Sequence, residues 1–187
     1  HKPVGSSLQY NPTLNYQSMR LQLYSDYEAM DSDPIIAAAL DIMSDETTTR
    51  NEYGDVLNIN SSDENVRKVL HNLFYDVLNI EFNLATWIRN MCKYGDFYLK
   101  MEVSEKFGVY NVIPLSVYEV VREEGTDPTN PSYVRFTMDP NGLASGATNT
   151  IRRDQFTLEN YEVAHFRLLT DSNYLPYGRS YLEPSRK

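Results

Sequence analysis

The sequence predicts an α+β domain with a mostly antiparallel sheet. From Gln17 to Met91 apolar residues recur at helical spacing, and from Phe97 to Leu169 they fall in short runs broken by turn residues. Helices first and strands second is the order of an α+β chain. No internal repeat is visible. With 187 residues and 41% hydrophobic content, the chain can build one full core, or one domain plus an arm.

Residues 1–16 hold Pro, Gly, Ser and Asn without periodicity and read as an extended arm. Tyr10, Tyr16, Tyr24 and Tyr27 punctuate the arm and the first helical segment after it. They are candidate contacts to a neighbouring subunit, since tyrosine favours interfaces; the plainer reading makes them part of the chain's own core. Gln17 to Met30 is a plausible helix. Asp33 as N-cap and Pro34 at the first helical position open a second, with Ile35, Ala38, Ala39, Ile42 and Met43 on one face. Val56–Ile59 suggests a short strand. Ser61 and Glu64 have capping-box spacing. The helix they would start carries the cleanest period in the chain: Val66, Val69, Leu70, Leu73, Phe74, Val77 and Leu78 form a stripe expected to be buried. A further helix is expected from near Asn83, stopped at Gly95.

Strands are then expected at Phe97–Val103, Val109–Ile113, Leu115–Val121, Tyr133–Thr137, Asn149–Phe156 and Tyr161–Leu169. Pro114 interrupts the second and third, and residues 139–148 read as a turn and flexible tip. Tyr177 to Lys187 reads as the first turns of one more helix, with Pro184 able to bend it. The absence of an initiator methionine and this late helix suggest the front part of a longer protein.

The charge is uneven. Eleven acidic residues lie between Asp26 and Glu64 against Arg50 alone, which leaves the remainder nearly neutral in a chain of net −9. That balance argues against a surface that grips phosphate backbones. It fits a solvated face, or one that repels DNA or meets a basic partner. No apolar run reaches the roughly 18 residues of a membrane span. The single Cys92 excludes an internal disulfide, and its plain reading is a buried thiol.

Known catalytic motifs are missing: no Walker phosphate loop, no nucleophile elbow, no His-Glu-x-x-His. His1, His71 and His165 lie far apart in sequence and make poor metal ligands. Asp41 and Asp45 are four apart on a helix; without further oxygen ligands they read as surface charges and are candidate subunit contacts. No catalytic constellation emerges, and neither a cofactor nor a metal is expected.

Three passages carry a resemblance. Tyr27 to Glu46 is an acidic run, a proline and a helix of small and aliphatic residues; Trp87 to Lys100 is a helix ending at Gly95-Asp96 before a strand. The third joins His165-Phe166-Arg167 to Tyr177-Gly178-Arg179-Ser180 and Leu182-Glu183-Pro184. Together they resemble the portal proteins of tailed bacteriophages, especially the portal vertex proteins of contractile-tailed phages. Around Pro114 the pattern departs, because no aspartate adjoins the proline.

The resemblance implies a non-enzymatic ring, typically of about twelve copies, at one vertex of the phage head. Residues 17–176 would be its wing-like domain and 177–187 the start of the stem helix; the rest of the stem, the clip and the crown are absent. It implies as partners further copies of the chain, the major capsid protein, the terminase large subunit during packaging and the neck and tail connectors. Double-stranded DNA would pass without sequence recognition. The implied location is the virion, after assembly in the host cytoplasm. Two other readings stand beside it: a free-standing α+β protein-binding module, and an enzyme domain whose catalytic half lies beyond Lys187. Particle mass separates the first, nucleotide turnover the second, and a long amphipathic helix after Lys187 is what the portal reading expects.

Overall fold

The computed structural model describes residues 12–138, 156–168 and 176–186. Helix α1 spans Pro12–Asp31, α2 Pro34–Thr47, α3 Glu64–His71 and α4 Ile80–Tyr94. Among the described residues six strands come next: β1 Asp96–Ser104, β2 Gly108–Leu115, β3 Val120–Glu124, β4 Val134–Met138, β5 Phe156–Glu159 and β6 Val163–Arg167. They form two antiparallel sheets, β2-β1-β6 and β3-β4-β5. The α+β class holds, with two small sheets in place of one.

Helix α1 begins at Pro12, ahead of the expected Gln17; proline lacks only an N–H that a first turn leaves unpaired. Helix α2 starts as expected: the Asp33 carboxylate accepts from Ile35 N at 2.8 Å, and Pro34 fills the first position. Its buried face differs from the expected one. Leu40 and Ser44 are buried with Ile36 and Met43 beside them, while Ile35 and Ile42 are 81% and 61% exposed. Both sides of this helix are apolar, so periodicity alone could not choose between them.

The expected strand Val56–Ile59 is not one. Its backbone amides at Val56 and Leu57 donate instead to the Glu81 carboxylate, and the Leu57 carbonyl accepts from Tyr75 OH at 2.6 Å. The expected capping box is replaced by Asp63, whose carboxylate accepts from Asn65 N and Val66 N. The stripe expected to be buried divides. Leu78 is buried, but Val66, Val69 and Val77 stay exposed. The long helix breaks into α3 and a π-helical turn, Asn72–Val77, closed by Leu78 N to Leu73 O at 2.9 Å. Asn79, left-handed at φ 47°, then redirects the chain into α4.

Gly95 caps α4 at φ 83°, as expected. Pro114 stays within β2, where Pro114 pairs with Leu99; β2 is a sheet edge, which tolerates the missing donor. Residues 117–119 turn where an extended segment was expected. The strand expected at Asn149–Phe156 and the tip at 139–148 lie outside the described residues, apart from Phe156, which opens β5.

Tyr24, Tyr27, Leu40, Tyr98, Val120, Phe136 and Leu182 belong to one core that joins the helices to both sheets. The passage from Tyr177 is not helical at first. It runs as turns to a 3-10 turn at Glu183–Ser185. It also packs within the domain: Tyr177, Ser180 and Leu182 are buried, and Arg186 pairs with Asp26 of α1 at 2.9 Å.

Candidate functional site

The Tyr-Gly-Arg-Ser passage is bolted to the end of α4. Leu168 N donates to Gly95 O at 2.9 Å, and Arg179 N donates to Leu168 O at 2.9 Å. Tyr181 N donates to Cys92 O at 3.1 Å, and Ser180 Oγ donates to Lys93 O at 2.6 Å. The last carbonyls of a helix lack internal partners, and this passage supplies donors for them. The fit needs two glycines face to face. A Cβ on Gly178 would run into the Gly95 carbonyl, and one on Gly95 would stand 2.6 Å from Arg179 C.

A buried polar cluster lies beside this bolt, centred on Asp96, which is 1% exposed. Its Oδ1 accepts from Gly178 N at 2.9 Å and lies 2.8 Å from His165 Nε2. Its Oδ2 accepts from Tyr24 OH at 3.3 Å, and that hydroxyl accepts from the Arg20 guanidinium at 2.7 Å. His165 Nδ1 lies 3.3 Å from Arg122 Nη1. A guanidinium can only donate, so Nδ1 is the acceptor and the proton sits on Nε2, facing Asp96. Burial lowers the His165 pKa below its ordinary value, and the Asp96 carboxylate opposes that only in part. Tyr98 stacks on the imidazole at 4.3 Å, and Tyr177 OH accepts from Arg122 N at 3.0 Å.

An Asp–His pair is the start of many hydrolytic sites, but here both imidazole nitrogens are engaged and the side chain is 4% exposed. Ser180 Oγ, the nearby hydroxyl, donates to backbone carbonyls. The arrangement ties α1, β1, β3, β6 and the Tyr177 passage together, which is the work of a clamp.

A second network joins the helices. Asp31 accepts from Arg89 at 2.8 Å and from Lys93 at 3.0 Å, and these bonds hold its pKa down to about 2. Arg89 also reaches Asp41 at 2.5 Å.

The candidate subunit contacts therefore separate. Tyr24 and Tyr27 are buried; Tyr24 reaches Asp96, and Tyr27 donates to Glu183, so both hydroxyls serve this chain's own packing. Of the two readings the sequence leaves open for them, contact to a neighbour or part of the chain's own core, this packing is the second. Tyr16 lies in α1 with its side chain outside the described part, and Tyr10 lies outside it altogether. Asp41 and Asp45 are exposed on α2, Asp41 engaged by Arg89. Sequence reasoning missed the Asp96 cluster, although Gly95-Asp96, His165 and Tyr177-Gly178 all lie in the passages that carry the resemblance. Among the described residues no group of His, Cys, Asp and Glu could hold a metal ion, and no helix is long and apolar enough to cross a membrane.

The family model described as Bacteriophage T4-like portal protein (Gp20) matches residues 20–187. No curated protein matches the chain.

Proposed function

The chain belongs to the T4-like phage portal protein family, and from that premise we propose that it forms the outer, wing-like part of a portal ring. In this reading the ring stands at the capsid vertex, passes DNA during packaging and ejection, and docks the terminase and then the neck and tail proteins. Its part is structural, and nucleotide hydrolysis falls to the motor. The supporting observation is the match across almost the whole chain, three separated passages included.

The surface agrees with a self-associating domain. Helix α2 satisfies the core with its Leu40 side, yet turns Ile35, Ala38, Ala39 and Ile42 outward, with Asp45 beside them. Helix α3 turns Val66 and Val69 outward. Rings close through unlike faces of one subunit, so two different apolar faces are what such a domain requires. Asp41 and Asp45 would flank the α2 contact. The acidic front would also repel passing DNA.

The test is the full-length protein, purified and viewed by electron microscopy with its mass measured in solution. The reading expects a ring many times the mass of one chain. A monomer at every concentration would instead support a free-standing binding module.

A further inference from the structure

The β1–β2 hairpin ends in a knob. Strand β6 pairs with β1 only from Asp96 to Lys100, whereas β1 and β2 stay paired out to Ser104 and Gly108. Among the described residues the outer part of the hairpin is therefore a two-stranded ribbon, a form with little stability of its own. Its apolar side chains are not packed away: Val103 is 54% exposed, Phe107 71% and Tyr110 47%. At the tip Phe107 N donates to Ser104 Oγ at 3.0 Å, and Lys106 Nζ lies 5.0 Å from the centre of the Phe107 ring. Among the described residues the lysine ion pairs are those of Lys68 and Lys93; Lys106 is exposed and has none.

The root of the same hairpin carries a cleft. About 370 Å³ opens between α1, α4 and the end of β2, lined by Glu28, Asn90, Tyr94, Pro114, Leu115 and Tyr118. That is the size class of a ligand pocket, far above what one water needs. Tyr94 and Tyr118 stand edge to face at 6.2 Å and form an aromatic wall. Beside it the Glu28 carboxylate accepts from Tyr94 OH at 2.8 Å, and Tyr118 reaches it as well. Glu28 is exposed and enters no ion pair among the described residues; Lys93, which lies over the Tyr94 ring, is paired with Asp31. An aromatic wall next to such a carboxylate suits a cation carried together with an apolar group.

Knob and cleft match in chemistry and cannot meet within one chain. They lie at opposite ends of β2, Gly108–Leu115, roughly 23 Å apart at about 3.3 Å per residue. A second copy has no such restriction. We propose that the hairpin tip of one copy seats in the cleft of the next, with Lys106 pairing with Glu28 and Phe107 packing on Tyr94, Tyr118 and Leu115. The inference rests on the ring reading above and names a contact that builds the ring. It joins unlike ends of one element head to tail, the kind of contact from which rings close.

The test uses the full-length protein. Glu105→Cys beside the tip and Asn90→Cys in the cleft leave Lys106, Phe107 and Glu28 in place. Under mild oxidation a chain carrying both should cross-link into a ladder of covalent multimers, while each single variant gives none; Cys92 is buried and stays out of the reaction. Rings that form without the ladder, or a ladder from either single variant, would overturn the tip-in-cleft contact and leave the ring reading standing. Protein that is monomeric at every concentration would overturn both. Charge reversal supplies a second readout. Lys106→Glu and Glu28→Lys should each raise the concentration needed for assembly by about tenfold, read by mass in solution, and the double variant should recover most of that loss. No recovery in a double variant that folds would overturn the pairing. Should Glu28→Lys fail to fold, Lys106→Glu and Phe107→Ser decide: both change only the exposed tip, and unchanged assembly in the two would overturn the proposal.

Discussion

Substituting Gly178→Ala tests whether the Tyr177 passage is bolted to α4 in the way the distances indicate. The added Cβ would collide with the Gly95 carbonyl and stand 2.8 Å from Gly95 C and 2.9 Å from Leu168 N. These are backbone atoms, so no side chain can swing aside, and the passage has to move outward. Overpacking of this kind costs about 1–3 kcal/mol. Moving the passage also pulls Gly178 N from Asp96 Oδ1, a bond to a buried carboxylate whose loss costs a further ~1.5–3 kcal/mol. A total of about 2.5–6 kcal/mol would consume much of a typical domain's stability. At this chain length it corresponds to a melting temperature lower by roughly 5–24 °C. Urea unfolding monitored by tyrosine and tryptophan fluorescence measures it. Gly108→Ala is the control: its positive φ imposes strain, but a Cβ there has nothing within 4 Å, so about 1 kcal/mol is expected. A Gly178→Ala cost below that of the control would refute the bolt.

The clamp and the helix network each give a pH effect. His165 is held neutral, so the folded protein resists a proton that the unfolded chain takes up below about 6.5. Its stability contribution is therefore complete above that pH and falls away on acidification; unfolding midpoints between pH 7.5 and 5.5 should slope downward, and His165→Gln should flatten them. Asp31, with its pKa near 2, contributes stability that is present above about pH 4 and lost as pH falls toward 2. Because its network reaches solvent, about 1 kcal/mol is the expected size, and Asp31→Asn should remove that part of the acid transition. On α2, Leu40→Ala should cost about 2–5 kcal/mol, whereas Ile42→Glu or Asp45→Lys should leave chain stability within about 0.5 kcal/mol and instead reduce ring assembly measured by mass.

What the sequence made legible was local. Asp33-Pro34 and Gly95 mark helix ends because capping needs only neighbouring atoms, and both stand where expected. The side of α2 that turns inward was not legible, since Ile35 and Ile36 are equally apolar and only the approach of α4, with Ser44 Oγ on Ala85 O at 2.5 Å, decides. Nor was the fate of Tyr24 and Tyr27. A tyrosine can end in a core or an interface, and its choice depends on whether a buried acceptor waits for its hydroxyl. Here Asp96 and Glu183 wait, from positions far along the chain. The cluster depends on strand register: Asp96 lies opposite Arg167, and Tyr98 opposite His165, which makes Asp96 and His165 diagonal neighbours on one face. Alternation in β1 and β6 could have placed them together once that register was known.

Whether the Asp96–His165 pair is a clamp turns on how its two members depend on each other. Asp96→Asn keeps the shape and an oxygen for Gly178 N, but puts an amide N–H₂ where Oδ2 accepted from Tyr24. The Tyr24 hydroxyl then receives from Arg20 and loses its acceptor, at a cost of about 1–3 kcal/mol. His165→Gln removes the ring stacked on Tyr98 and the bridge to Arg122, at a similar cost. If the two act as one clamp, the charge-assisted part of the bond between them is lost in both single variants. The double variant should then be less destabilised than the sum by about 0.5 kcal/mol or more. Strict additivity in urea unfolding would mean that each residue holds its own neighbours independently, and that the Tyr177 passage is secured by the glycine contact and the α4 carbonyls alone.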